Sequence, residues 1–330
     1  MPNRRILTAL AVGAAAGLVL TGCSSSDTGG ASSSGGTKAG PVKIAFAPGV
    51  IGDEFYITMQ CGIEKAVKAA GGSVTMQGPQ KFDPTLQKPV IDALVASKPD
   101  ALLVAPTDVS AMQAPLKAAA DAGIKVVLVD TTVNDPSFAV SQISSDNTGG
   151  GKAAFEAIKK LKPGGGKVLA ISVDPGISTT DARVAGFAAA AGADSKFTYL
   201  GVQFSHNEPA TAAKLVTAAL QKDPQIVGIF GTNLFSAEGS ATGVKQAGKS
   251  ESVSIVGFDA GPAQVKQLES GTVQALVAQQ PETIGADGVA QALLALKGQP
   301  TEKTIQTGFT IITKETLKGE ASGAVYKSSC

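Results

Sequence analysis

The residues best suited to holding a polar small molecule recur just past short apolar runs. Asp53 follows "VKIAFA" within "APGVIGDEFY", with Phe55 and Tyr56 beside it. Asp130 follows "KVVLV", Asn233 follows "IVGIFGT", Asp259 ends "VSIVGFD" and Gln279 ends "VQALVAQ". Carboxylates accept hydroxyl hydrogens, amides accept and donate, and aromatic rings cover C–H faces. Such a set suits a neutral, polyhydroxylated solute. Taken singly, each Asp or Asn suits a helix cap or a turn equally well. Asp53 reads either as an acceptor for a ligand hydroxyl or as the cap of the helix that Phe55 and Tyr56 open.

Other chemistries have less support. "TGGGKAA" and "PGGGKV" contain Gly-Lys but lack the earlier Gly and the following Ser/Thr of a phosphate-binding loop. No G-x-S-x-G nucleophile elbow occurs, and the single histidine, His206, sits in a polar turn. One histidine and few cysteines cannot supply a His/Cys metal site, so no metal and no cofactor is expected. A pair of carboxylates for glycoside hydrolysis is defined by distance in space and is left open by sequence alone. With 28 basic and 27 acidic residues and no long run of Lys and Arg, nucleic acid is not an expected partner.

The elements that must position these residues alternate. Short β-branched runs ("VKIAFA", "SVTMQ", "ALLVAP", "KVVLVD", "KVLAISV", "FTYLGVQ", "IVGIFGT", "VSIVGFD", "VQALVAQ") are separated by Ala-rich helical patterns, among them 110–122, 148–161, 179–191, 208–221 and 282–297. This is the signature of an α/β fold with parallel sheets. The strands are too many for one compact unit, so two doubly wound lobes are expected. Ligands of such sheets bind beyond the carboxyl ends of the strands, where the collected residues fall. "NDPSFAVSQISSDNTGGG" shows no clear helix, which places a boundary near Asp146, and "IQTGFTIITKETL" reads as a return to a sheet already left.

Arg4 and Arg5 precede an apolar stretch from Ile6 to Leu20, the layout of a secretory signal over 1–22. "LTGC" resembles a bacterial lipobox, which implies lipidation of Cys23, an exported protein and a membrane tether. From 24 to 40 the chain is nearly all Ser, Gly and Ala and reads as a flexible leash. Cys61 and Cys330 remain, and in an oxidising compartment a pair tends to close; the alternative is two free thiols. Cys61 lies nearly opposite the apolar stripe Phe55, Met59, Ile63, Val67, Ala70 of its helix and is not an evident core residue.

From Val42 to about Lys314 the chain resembles the type I periplasmic sugar-binding proteins of the ribose and galactose kind, substrate-binding subunits of ABC importers. The resemblance is carried by "FYITMQCGIEKAVKAAGG", "ALLVAPTD", "AGIKVVLVDT", "ISSDNTGGGKAA", "GISTTDARVAGFAAA", "QAGKSESVSIVGFDAGP" and "GTVQALVAQQPETIGADGV". It implies two lobes joined by a three-crossing hinge near Asp146, Gln279 and Gly308, with 41–146 plus 280–307 in the first and 147–279 plus 308–330 in the second. By resemblance the ligand contacts are Phe55, Tyr56, Asp130, Asn147, Arg183, Asn233, Asp259 and Gln279, with Asp53 at a position that is often polar. The implied partners are a sugar or polyol and an ABC permease, and the protein is expected to be a monomer and not an enzyme. Thr131, Ala105, Leu234 and the surroundings of Asn207 depart from the ribose-type pattern, which points to another pentose, a hexose or a sugar alcohol. A same-fold receptor for a furanosyl signalling compound and an anchored carboxylate-dependent hydrolase are the alternative readings.

Overall fold

The structure is a computed structural model that describes residues 40–330. Cys23 and the leader therefore lie outside the described residues. The strands are β1 (Lys43–Ala47), β2 (Ser73–Met76), β3 (Ala101–Val104), β4 (Lys125–Val129), β5 (Ser141–Ser145), β6 (Gly166–Ser172), β7 (Phe197–Phe204), β8 (Ile226–Gly231), β9 (Ser254–Phe258), β10 (Ala275–Ala278), β11 (Thr304–Thr307) and β12 (Thr310–Ile312). They form two six-stranded sheets, ordered β11-β5-β4-β3-β1-β2 and β12-β10-β9-β8-β6-β7. Every pairing is parallel except β10 with β12.

Central strands such as ALLV and ALVA are buried along their whole length. Parallel sheets with helices on both faces require such continuous apolar runs, because neither face meets water. A fully buried Leu, Ile or Phe in them stabilises by about 1.5–3 kcal/mol. The edge strand β2, SVTM, is largely exposed and correspondingly more polar.

The helices are α1 (Glu54–Ala69), α2 (Pro84–Ala96), α3 (Gln113–Asp121), α4 (Asn147–Leu161), α5 (Ser178–Gly192), α6 (Pro209–Lys222), α7 (Leu234–Gln246), α8 (Pro262–Glu269) and α9 (Pro281–Leu296). α3, α4, α5, α6 and α9 lie within a few residues of the helical patterns read from the sequence, in which α2, α7 and α8 have no stated counterpart. Among the strands, the stretch read as one return to a sheet holds two, β11 and β12, one in each sheet, and β5 lies in the stretch that showed no clear helix. Its residues SQISS alternate buried and half-buried and carry one large apolar side chain, so no apolar run announces the strand.

The chain crosses between the sheets three times: from β5 into α4, from β10 into α9, which packs back on α1, β3, β4 and β5, and between β11 and β12. The Asp146 amide donates to Thr307 O at 2.9 Å, which ties the first crossing to the third. Beyond β12 the tail buries Leu317, Ala321 and Tyr326 and ends on α1, where Cys330 is bonded to Cys61 with a Cα–Cα distance of 5.2 Å. Cys61 is only 7% exposed although it lies off the apolar stripe, because the tail covers that face of α1.

Candidate ligand-binding site

Asp53 ends the loop after β1 and caps α1, its Oδ1 accepting from the Phe55 amide at 2.9 Å. The cap turns the helix so that Phe55 and Tyr56 follow directly, packed edge to face with ring centroids 5.1 Å apart. Both rings and Asp53 line one cavity. Asp53 is therefore at once cap and cavity wall.

Asp130 and Asp259 leave β4 and β9 in the same way. Their backbones are left-handed, with φ of 65° and 76°. A non-glycine residue there costs about 1–3 kcal/mol and persists only where its surroundings fix it. Each amide is held by a carbonyl of the neighbouring strand: Asp130 N donates to Ile143 O at 2.8 Å and Asp259 N to Val277 O at 2.9 Å. Each carboxylate takes a tyrosine hydroxyl, Tyr56 on Asp130 Oδ2 at 2.9 Å and Tyr326 on Asp259 Oδ1 at 3.0 Å. Asp259 has two further donors, Gln279 Nε2 at 2.7 Å on Oδ1 and the Leu234 amide at 2.9 Å on Oδ2.

Arg183 comes from α5, which lies unusually close to α4. A Cβ at Gly151 would fall on the Arg183 carbonyl and one at Gly186 on that of Thr148, while one at Gly149 would meet the Asp146 side chain and one at Gly150 the Phe258 ring, so the glycines of "TGGGKAA" serve close packing. This proximity lets Asn147 Oδ1 accept from Arg183 Nε at 2.9 Å, while Nη1 donates to Thr232 O at 2.9 Å. The guanidinium lies 3.8 Å above the Phe258 ring centroid, a cation–π contact. Among the described residues two of its five N–H groups are thus occupied, which leaves the rest, Nη2 included, as donors for a ligand.

These side chains meet around a cavity whose walls come from both lobes. Asp53, Phe55, Tyr56, Asp130, Arg183, Asn233, Asp259 and Gln279 all line it. Asn147 does not; it stands behind Arg183 and holds it. Gln279 spends its amide on Asp259 and accepts from Ser145 Oγ at 2.7 Å. Sequence reasoning did not single out Phe82, Val173, Ile177, Thr179 or Thr180 as lining residues. Thr179 and Thr180 lay inside the segment "GISTTDARVAGFAAA", whereas the apolar residues escape any search for polar groups. Asn207, the place of a noted departure, also lines the cavity and accepts from Asn233 Nδ2 at 2.7 Å.

The lobes are closed over this space. Val109 N donates to Gly176 O at 3.0 Å, Thr132 N to Ser178 Oγ at 3.0 Å, and Lys81 pairs with Glu208 at 3.0 Å. The last pair is exposed and contributes little.

Burial pushes all three acids up. Asp130 rises to about 6, burial outweighing the opposing pull of Arg183 and Tyr56. Asp259 is raised by burial against Arg183, Gln279, Tyr326 and Leu234, and Asp53 is raised well above the carboxylate range by burial and by Asp259. Arg183 is the one cation among the described residues that line the cavity. The arrangement offers several acceptors and one forked donor, which matches hydroxyl groups and disfavours an anion.

The family model for the periplasmic binding protein domain matches residues 44–300. A solute-binding protein of an ABC transporter from Agrobacterium vitis, solved with α-D-tagatopyranose, is 41% identical; the match covers 87% of this chain and 99% of that one, with a TM-score of 0.85. A second from the same organism, with bound D-fucose, is 30% identical over 86% and 100% of the two chains, with a TM-score of 0.82. The ribose import binding protein RbsB of Escherichia coli is 29% identical over 272 residues, 82% of this chain and 90% of that protein.

Proposed function

This chain belongs to the periplasmic binding protein domain family, and from that premise we propose that it is the sugar-binding subunit of an ABC importer. It captures a neutral monosaccharide or sugar alcohol between its lobes and delivers it to a membrane permease. The observation that carries this reading is the cavity: acidic side chains from both lobes, one guanidinium fork and aromatic rings line a single space between the lobes. Each carboxylate accepts from ligand hydroxyls, Arg183 donates to ring or hydroxyl oxygens, and Phe55 and Tyr56 cover a C–H face. Since the walls belong to different lobes, the full set of contacts exists only in the closed form, so the ligand drives closure through its differential affinity.

The first lobe comprises 41–146 with 280–307 and the second 147–279 with 308–330. The protein is exported, anchored to the outer face of the cell membrane through lipidated Cys23, and acts as a monomer on a flexible leash. The Cys61–Cys330 disulfide closes after export. The family is one of solute-binding proteins, in keeping with binding without turnover.

A thermal-shift screen with D-tagatose, D-fucose, D-ribose and the common pentoses, hexoses and alditols tests the reading. A true ligand at 100 times its Kd stabilises by about 2.7 kcal/mol, a shift of several degrees. No stabilisation by any of them would overturn the proposal.

A further inference from the structure

The C-terminal tail, residues 313–330, touches both lobes at the hinge. Tyr326 N donates to Ala260 O at 2.9 Å, in the second lobe. One residue later the chain is on the first lobe: Lys327 N donates to Thr58 Oγ1 at 2.8 Å, its ammonium pairs with Glu282 at 2.8 Å, and Cys330 is bonded to Cys61 on α1. The tail is thus a fourth link between the lobes, covalent at its far end.

Tyr326 sits between these anchorages, 4% exposed, with its ring centroid 6.0 Å from that of Phe55. Its hydroxyl accepts from the Gln279 amide at 2.9 Å and donates to Asp259 Oδ1. Gln279 lies in the second crossing, donates to the same oxygen and accepts from Ser145 Oγ, which faces Thr307 Oγ1 at 3.4 Å. Ser145 and Thr307 border the first and third crossings. One hydrogen-bonded chain therefore touches every crossing and the tail, and ends on Asp259.

We propose that Tyr326 is a positioning residue of the ligand site: carried by a tail that Cys330 pins to α1, it fixes the Asp259 carboxylate so that Oδ2 is left for a ligand hydroxyl. This rests on the reading of the cavity as a sugar site. With two donors, Oδ1 is committed to the protein, while among the described residues Oδ2 accepts from Leu234 N alone and keeps acceptor capacity. Without the tyrosine hydroxyl the carboxylate loses one of the bonds that set its plane, and the buried Gln279 amide loses its acceptor. Tyr326 does not line the cavity, so the effect of its hydroxyl reaches a ligand through the lining residues it bonds, Asp259 and Gln279.

The test compares Tyr326→Phe with Tyr199→Phe, which removes an enclosed hydroxyl that has no hydrogen-bond partner among the described residues. Both substitutions keep the ring. The first readout needs no ligand: a ¹³C NMR titration of the Asp259 side chain. Loss of the Tyr326 donor moves the Asp259 midpoint to higher pH, because that bond favours the ionised form, and Tyr199→Phe leaves it in place. An unmoved midpoint in Tyr326→Phe overturns the proposal whatever the sugars do. The second readout is calorimetric titration with D-tagatose, D-fucose and D-ribose, in which Kd weakens about tenfold in Tyr326→Phe and stays within about twofold in Tyr199→Phe. Equal losses in the two variants would refute the positioning role. If wild type binds none of the three sugars, the sugar reading loses its support, and the NMR midpoint still decides the role of Tyr326. Cys330→Ser should shift midpoint and affinity in the same direction as Tyr326→Phe, and a variant identical to wild type in both would refute the pinning by Cys330.

Discussion

Asp130 in the first lobe and Asp259 in the second are near copies in backbone and unlike in what surrounds them. Both end a strand in left-handed conformation, both amides are held by the adjacent strand, and both carboxylates take a tyrosine hydroxyl. Tyr56 comes from α1 of the same lobe, close by in the fold; Tyr326 comes from a tail fastened to the other lobe. Among the described residues one donor reaches the Asp130 carboxylate and three reach that of Asp259. The second-lobe acid is therefore set by the protein before a ligand arrives. The first-lobe acid keeps open acceptor capacity, and burial lifts it to about 6.

Removing what the two acids share should have the largest effect. Arg183→Ala takes away the cation that opposes the upward push on both, and truncating one partner of a buried charge network costs about 2–5 kcal/mol. Calorimetry should show a loss of sugar affinity of about thirtyfold or more, the low end of that cost. Asp259→Ala comes next, at least about tenfold, because it strands the donors of Gln279 and Tyr326 as well as removing an acceptor.

The pH dependence separates the pair. A ligand hydroxyl donates best to an ionised acceptor, so affinity should be full above about pH 6 and fall as Asp130 is protonated below it. In the ligand-free protein the sign reverses. The raised pKa gives Asp130 a contribution to folding stability that is present at low pH and is lost as pH rises from 3.8 through about 6. Asp130→Asn should flatten both slopes, measured as Kd and as denaturation midpoint against pH, and an unchanged acid limb of Kd would contradict the contrast. The smallest effect is expected for Asp53→Asn. Asn caps a helix about as well as Asp, so a several-fold affinity loss with unchanged melting would report a ligand contact and not a lost cap.

Much of this was legible in the chain. Apolar runs gave every strand whose residues are large and buried, and the polar residues just past them gave Asp53, Asp130, Asn233, Asp259 and Gln279, because an open parallel sheet puts strand ends in one place. β5 was missed since its residues are small and polar beside the hinge. Val173 and Ile177 line the cavity as apolar wall and carry no chemical signal, and Phe82, apolar as well, lies in the β2–α2 loop away from the strand end where polar groups were sought. Tyr326 was invisible for another reason: it follows no strand in the irregular tail, and only the path of that tail brings it to Asp259.

The central claim, a neutral sugar held between the lobes by Arg183 and the two strand-end acids, is tested most directly by calorimetric titration of wild type and Arg183→Ala with D-tagatose, D-fucose and D-ribose. The account predicts saturable 1:1 binding of at least one of these by wild type and its near loss in the variant. Absence of binding of all three by wild type, or equal affinity in Arg183→Ala, would contradict it.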